Sequence, residues 1–486
     1  MKGGYWQDWM VDTKEKSLPA FEEILQKVSK RITPSPSERA RIIKIAEDMR
    51  PKVFAVASSA SLEADVTLDG SVAKDTWLSG EADVDIFMRV SPELTREELE
   101  TRCLEVARKA AGSYVERYAE HPYVETTIDG VSVNIVPCFK VERGKWKSAT
   151  DRTPFHTEYM KAKLDERLKS EVRLTKKFAK GIGVYGAEIK IKGFSGMLCE
   201  TLTLNYGSFQ GLLRAAAVWK RGQLIDIERF YEGLGSEVPD LFPEPLIVVD
   251  PVDKGRNVAA AVAEDKMWLL VAASRRFLER PKLSFFYPPT VRALTSRQLA
   301  SRLARRGSDM VFIQFGRVEA VVDVLWSQLY KTEHSLRNLL RANGFQVLRT
   351  ASWSDEKGCN IIVCEVDKRV LSPVVRHLGP PVSRSVESQR FLEKYVGSHE
   401  AVSGPRVEDG RWVVEKKRRH TDAKFLVRAS LRDGGKAIGV ANKISPVLRE
   451  SFRVLVNEEI ADLCKKHRDL SLFLTDYLLG RPTWLN

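Results

Sequence analysis

Residues 70–90 read GSVAKDTWLSGEADVDIFMRV. The second half alternates. Val84, Ile86, Met88 and Val90 fall on one side of an extended chain, and Asp83 and Asp85 on the other. The pattern predicts a strand with an apolar back and two carboxylates projecting together from its front. Neighbouring carboxylates repel, so that front calls for positive charge between them. Upstream, Gly70-Ser71 predicts a small-residue turn, followed by a short helix over 72–78. Such a turn lets backbone N–H groups and the Ser71 hydroxyl come close to an anion.

Working outward, Ser35-Pro36-Ser37-Glu38 is a capping box with proline at the first helical position. It predicts a helix to about residue 50, stopped by Pro51. The run KVFAVASSASL (52–62) then reads as a strand. Thr95-Arg96-Glu97-Glu98 caps a further helix ending at Gly112. YVETTIDGVSVNIVPCFKV (123–141) predicts a hairpin turning at Asp129-Gly130. Beyond it the pattern becomes helical: residues 157–183 read as one long amphipathic helix, and 193–219 as a buried helix pair. Pro281, Pro288 and Pro289 mark a boundary. Past them DMVFIQFGRVEAVV, GFQVLRTASW, GCNIIVCEVD and GRWVVEKKRRH are strand-like, with helices between. The reading is a multidomain α+β chain: a catalytic head over 1–152, a helical central neck over 153–280, and an α+β body and tail over 281–486.

The chain has 486 residues, a formal net charge of +13 and an ordinary apolar content. That length exceeds one core, and the charge favours a polyanionic partner, nucleic acid above all. No stretch is long and apolar enough to span a membrane. MKGGYWQDWMVDTKEK at the N-terminus lacks the apolar region of a secretory signal. Six scattered cysteines without paired metal spacing read as reduced core thiols, which places the chain in the cytoplasm.

Two carboxylates on one strand are hard oxygen ligands suited to Mg²⁺, which keeps waters and completes its shell with substrate phosphates. With the phosphate-friendly turn beside them, they point to nucleotidyl transfer. Gly70-Ser71 followed by Asp83-Val84-Asp85 resembles the signature of the polymerase-β nucleotidyltransferase superfamily. Further blocks narrow the resemblance to the archaeal (class I) CCA-adding tRNA nucleotidyltransferases. They are GSVAKDTWL, RYAEHPYVE, NIVPCFKV, SATDRTPFH, EVRLTKKF, GVYGAEIKIKGFSGMLCE and VVDPVDKGRNVAA, in the family's order, extended by VFIQFGR and LGPP.

The resemblance implies a polymerase-β-type palm, a helical central domain and C-terminal α+β RNA-binding domains. It implies addition of C, C and A to the 3′ end of tRNA from CTP and ATP, without a nucleic-acid template. It implies Asp83 and Asp85 as Mg²⁺ ligands. Gly70, Ser71, Lys74, His121, Thr153, His156, Lys176 and Tyr185 would line the nucleotide and triphosphate site, and Arg256 would help select the base. Read without the family, Lys176 lies on a solvated helix face, Tyr185 in a core, and Arg256 in a salt bridge to Asp250 or Asp253. The two histidines then read as satisfied structural groups.

One position departs. The superfamily's third carboxylate aligns with Asn134, whose amide oxygen can ligate a hard cation but carries no charge. Relocation of that ligand to Glu125 or Asp129 is one reading, and an impaired relative that only binds tRNA is another. A poly(A)-polymerase-like transferase is a third, which the ordered blocks disfavour.

Basic clusters suited to phosphates are Lys220-Arg221, Arg275-Arg276, the Arg297, Arg302, Arg305 and Arg306 run, and Lys416-Lys417-Arg418-Arg419. Each also reads as a solvated helix or strand face. The resemblance implies that the C-terminal half meets the acceptor stem and TΨC arm of tRNA. Relatives of this kind are often dimers, so a homodimer is one option.

Overall fold

A computed structural model of the chain describes residues 18–118, 121–234 and 238–485. The leader reading of the N-terminal segment lies outside them. The chain divides into two compact units. One runs to Thr290 and regains Pro482–Asn486, and the other is Val291–Arg481.

The first unit opens with a mixed sheet built from β1 (Ala64–Asp69), β2 (Asp83–Val90), β3 (Val115–Tyr118), β4 (Pro122–Ile128) and β5 (Val131–Phe139). Their order is β1-β2-β5-β4-β3. The β2–β5 pair is parallel and its neighbours are antiparallel. The predicted alternation on β2 is realised. Val84, Ile86, Met88 and Val90 are all fully buried in one cluster with Val133 and Ile135, which also takes in Ile42, Met49, Val53, Leu104 and Ala107 from helices Pro36–Ser59 and Leu104–Ala111. The hairpin at Asp129-Gly130 forms as read.

Two local readings are corrected. Pro51 does not stop its helix, which runs from Pro36 through Ser59, so 52–62 is mostly helix rather than strand. Ile42, Ala46, Met49, Val53 and Ala57 continue one buried stripe through the proline, and burial of that stripe outweighs the lost hydrogen bond. The long helix over 157–183 is two helices, Thr153–Lys163 and Glu166–Gly181. Asp165 breaks it by accepting a bond from the Leu168 N–H at 2.7 Å, a cap placed inside an amphipathic run.

The helices that follow, Gly196–Tyr206, Phe209–Ala216 and Glu264–Glu279, form the predicted buried pair and a third member. Phe178, Phe209, Phe277, Phe285 and Phe286 interlock at their centre, and Trp484 from the returning C-terminus closes on Phe285 at 5.0 Å. A small sheet of β6 (Gln223–Ile225), β7 (Leu246–Asp250) and β8 (Asp253–Asn257) flanks them.

The second unit holds the predicted strands as β9 (Asp309–Phe315), β10 (Val347–Ser354) and β11 (Asn360–Val366), joined by β15 (Phe452–Val456) in the order β10-β11-β9-β15. A separate sheet comprises β12 (Val374–Pro381), β13 (Ala401–Glu408) and β14 (Arg411–Lys417). All six cysteines are free and buried, as read. No helix among the described residues is long and apolar enough to cross a membrane.

Candidate active site

Strand register assembles the site. Asp69 on β1 pairs with Asp85 on β2, Asp85 with Asn134 on β5, and Asn134 with Glu125 on β4. Cross-strand partners share a face, so these four polar side chains form one row on the side opposite the apolar core, with exposed Asp83 two residues before Asp85. The Asn134 amide donates to Asp85 Oδ1 at 3.0 Å. Its own Oδ1 is buried and has no hydrogen-bond partner among the described residues. Burial pushes the Asp85 carboxyl up to about 6, against the Asn134 hydrogen bond, while the Asp83 charge reinforces the rise. Partial desolvation of its carboxyl likewise raises Asp83, which stays exposed as a residue, and the Lys180 charge opposes the rise.

Gly70 begins the short helix Gly70–Ala73 at φ +71°. A Cβ there would lie 1.9 Å from Asp85 Oδ2. The glycine is therefore required twice, for its left-handed backbone and for the approach of the turn to the carboxylate. The short helix ends at residue 73 rather than 78. We expect Gly70→Ala to cost roughly 1–2 kcal/mol of stability and to lower the site's catalytic rate on the order of a hundredfold by displacing Asp85. Thermal unfolding and single-turnover kinetics measure the two effects.

Beneath the turn lies a buried ionic cluster. Glu200, fully buried, accepts from Lys74 Nζ at 2.6 Å, Lys176 Nζ at 2.8 Å and Thr76 Oγ1 at 2.6 Å. Burial would raise the Glu200 carboxyl, but the two ammoniums overcome it and hold the group down at about 2. Burial lowers the Lys176 ammonium, and Glu200 opposes that shift. Lys176 therefore does not lie on a solvated face, because the helix packs that face against Gly196–Tyr206. Tyr185 is half-buried beside it: a Cβ built on Gly196 would meet the Tyr185 hydroxyl and the Lys176 ammonium together. Lys180 sits over the Tyr185 ring at 4.8 Å.

A second network surrounds Asp250, which is fully buried. It accepts from Arg256 Nη1 at 2.7 Å and the Val252 N–H at 3.0 Å, and its Oδ2 lies 2.8 Å from His156 Nε2. Burial would raise this carboxyl, yet His156 and Arg256 hold it below the ordinary range. The Arg256 salt bridge to Asp250 is thus the partner foreseen, while Asp253 pairs instead with Arg152 at 2.8 Å. Thr153 opens the helix that carries His156. His121 is buried, its Nε2 2.8 Å from Thr150 Oγ1.

Of the two carboxylates read as a relocated third ligand, Glu125 lies in the row beside Asn134 and pairs with Arg117 at 3.0 Å, whereas Asp129 sits at the exposed hairpin turn with φ +49°. No three His, Cys, Asp or Glu side chains gather as a metal cluster among the described residues. What the site offers a hard cation is Asp83, Asp85 and the orphaned Asn134 oxygen. This donor set fits an ion that takes its remaining ligands from water and phosphates.

Glu200, which motif reading passed over, Asp250, read there only as a partner of Arg256, and Asp69 also belong to the candidate site. The first two left a trace: each is a lone carboxylate in an otherwise apolar run, GMLCETLTL and PLIVVD. A charge buried that way needs a cationic partner.

The basic clusters fare differently. Arg306 is committed to buried Glu365, which also accepts from Ser308, Arg349 and Tyr477. Its guanidinium is therefore held in part by this protein's own carboxylate. Arg418 donates to the Ser372 and Asn343 carbonyls, Arg275 to that of Ala217, Arg276 pairs with Glu279, and Arg221 reaches Glu264 at 3.4 Å. Arg297, Arg302 and Arg305 line one open groove with Leu294 and Gln298. Lys220, Lys417 and Arg419 are exposed, and Lys416 lies 5.9 Å over the Tyr395 ring.

A glycine turn against a two-aspartate strand, with a helical layer behind it, defines a nucleotidyltransferase, and residues 36–156 match the family model described as a nucleotidyltransferase domain. Residues 170–287 match tRNA nucleotidyltransferase, second domain, and 306–457 match CCA-adding enzyme, C-terminal domain. The CCA-adding enzyme of Methanosarcina acetivorans is 37% identical over 470 residues, covering 96% of this chain and all of its own. That of Halobacterium salinarum is 37% identical over 441 residues, covering 90% of this chain and 95% of its own. A solved structure of Cid1 poly(U) polymerase is 16% identical, covers 55% of this chain and 98% of its own, and has a TM-score of 0.45. The chain belongs to the CCA-adding enzyme family.

Proposed function

We propose that the protein adds C, C and A to the 3′ end of tRNA from CTP and ATP without a nucleic-acid template. The observation that carries this is the Asp83–Asp85 pair facing the Gly70 turn, in a chain matching CCA-adding enzymes over nearly its whole length. The 3′ hydroxyl oxygen of tRNA attacks the α-phosphorus of the nucleotide in line, and the bond to pyrophosphate breaks. Asp83 and Asp85, with the Asn134 oxygen, would hold Mg²⁺, which lowers the pKa of the attacking hydroxyl and takes up charge on the phosphates. Ser71 and the backbone of the turn face the triphosphate. Lys74 and Lys176 act from beneath: two ammoniums against one carboxylate leave a surplus positive charge under the turn. Asp250 fixes one edge of the Arg256 guanidinium, and the exposed remainder of that fork reads the incoming base. His121, Thr153, His156 and Tyr185 shape the pocket wall. The acceptor stem and TΨC arm of tRNA lie along the basic surface of the C-terminal half.

Incubation with tRNA lacking its 3′ end, labelled CTP or ATP, and Mg²⁺ tests the reading. Ordered incorporation of C, C and A is the expected result. A-only tailing would indicate a poly(A)-polymerase-like transferase, and retained binding without incorporation an impaired relative. Asn134→Asp supplies the missing charge and is expected to tighten Mg²⁺ binding or raise turnover, about tenfold for a ligand change of this kind. If neither changes, position 134 is not a metal ligand.

A further inference from the structure

The helix Ala423–Leu431 in the second unit is amphipathic, burying Ala423, Leu426, Val427 and Leu431. Its outer stripe carries Phe425, Arg428, Ala429 and, at its C-cap, Arg432, spaced i, i+3, i+4 and i+7. Phe425 is 68% exposed, the most exposed of the protein's large apolar side chains among the described residues. The stripe forms one wall of an open groove whose other wall is Leu448, Arg449, Glu450, Ser451 and Phe452, so three guanidiniums face one carboxylate there. Arg428, Arg432 and Arg449 are all exposed, and among the described residues none of the three guanidiniums has an ion pair or hydrogen bond. Arg306, Arg418, Arg275 and Arg276, by contrast, are spent on this protein's own carboxylates and carbonyls.

Arginines near a helix C-terminus have a structural use, since they face its negative end. That accounts for Arg428 and Arg449 but not for a phenylalanine on the outer face, which gains nothing there from burial. An aromatic ring ringed by unsatisfied guanidiniums is suited to an unpaired nucleotide: the base stacks on the ring while the planar forks take flanking phosphates. Base-paired RNA offers phosphates but no free base face.

We propose that this groove holds unpaired nucleotides of the tRNA substrate, with a base stacked on Phe425 and phosphates on Arg428, Arg432 and Arg449. The proposal rests on the tRNA-directed function above and adds to it a contact that duplex recognition does not require.

The test uses the full chain and three substrates or ligands: tRNA lacking its 3′ end, a blunt RNA duplex of acceptor-stem length, and CTP. Phe425→Ala is expected to weaken tRNA binding about tenfold, Phe425→Tyr to restore it, and duplex affinity to stay unchanged. Joint replacement of the three arginines by alanine should flatten the salt dependence of tRNA affinity by roughly two to three in log–log slope. Phe425 lies outside the catalytic head, so incorporation at saturating tRNA should hold near the parent rate. Equal losses for tRNA and duplex with Phe425→Ala would overturn the stacking proposal. Unchanged tRNA affinity and salt slope in all variants would assign the groove to another partner, such as an acidic protein, and would overturn the proposal too. A parent protein that binds tRNA poorly and incorporates no nucleotide would instead count against the function itself.

Discussion

Asp83→Ala and Asp85→Ala are each expected to lower nucleotide incorporation by about three orders of magnitude, leaving tRNA affinity nearly unchanged. The magnitude follows from the several kcal/mol of charge stabilisation that a bound cation supplies during phosphoryl chemistry. The two positions differ in environment. Asp85 sits in the row between Asp69 and Asn134 and is held by the Asn134 amide, whereas Asp83 is exposed. Replacing Asp85 also removes a repelling charge from a half-buried face, so Asp85→Ala should unfold at the same temperature as the parent or slightly above it. An inactive variant with undiminished stability is therefore the expected signature of a ligand rather than of a structural residue. Filter binding, single-turnover incorporation and thermal unfolding on one preparation separate these outcomes. Loss of tRNA binding in parallel with activity would show that the carboxylates hold the fold together instead.

The second large effect concerns Glu200. Glu200→Ala leaves Lys74 and Lys176 buried without a counter-charge, and breaking such a group from one side costs about 3–5 kcal/mol. A melting-temperature drop on the order of 10 °C follows. The joint replacement Lys74→Met, Lys176→Met and Glu200→Leu removes all the buried charges together. It should recover most of the stability while remaining poor in nucleotide binding, because the positive base under the turn is gone. If it is less stable than Glu200→Ala, the cost lies in packing rather than in uncompensated charge. The acid limb gives a second readout. Glu200 is held at about 2, below its ordinary 4.5, so its stabilising effect is complete above pH 4.5 and fades as pH falls from there toward 2. Glu200→Gln should flatten the acid-induced loss of stability across that window.

The strand 83–90 was legible because Val84, Ile86, Met88 and Val90 make one wholly buried face, which a one-residue slip would lose, even though Phe87 is buried on the other face. The hairpin at Asp129-Gly130 was legible because positive φ at both turn residues suits Asp-Gly. The helix through Pro51 was not, because local preference argues for a stop and only the tertiary stripe from Ile42 to Ala57 argues against it. Asp165 misled in the other direction, capping a new helix where the apolar period seemed to run on. At the site, the Gly70 turn and the two aspartates follow from local pattern. The Glu200 network does not, since it joins residues up to 126 positions apart, and of the Asp250 network only the Arg256 pair, 6 positions apart, lay within local reach. Arginine clusters were the least legible feature. Sequence shows the charge but not whether a buried glutamate such as Glu365 has claimed it.

A crystal grown with Mn²⁺ and a non-hydrolysable CTP analogue tests the central claim most directly. The account predicts an anomalous peak within ligand distance of both the Asp83 and Asp85 carboxylates, next to the triphosphate and against the Gly70 turn. An analogue bound elsewhere, or a peak that touches neither aspartate, would contradict it.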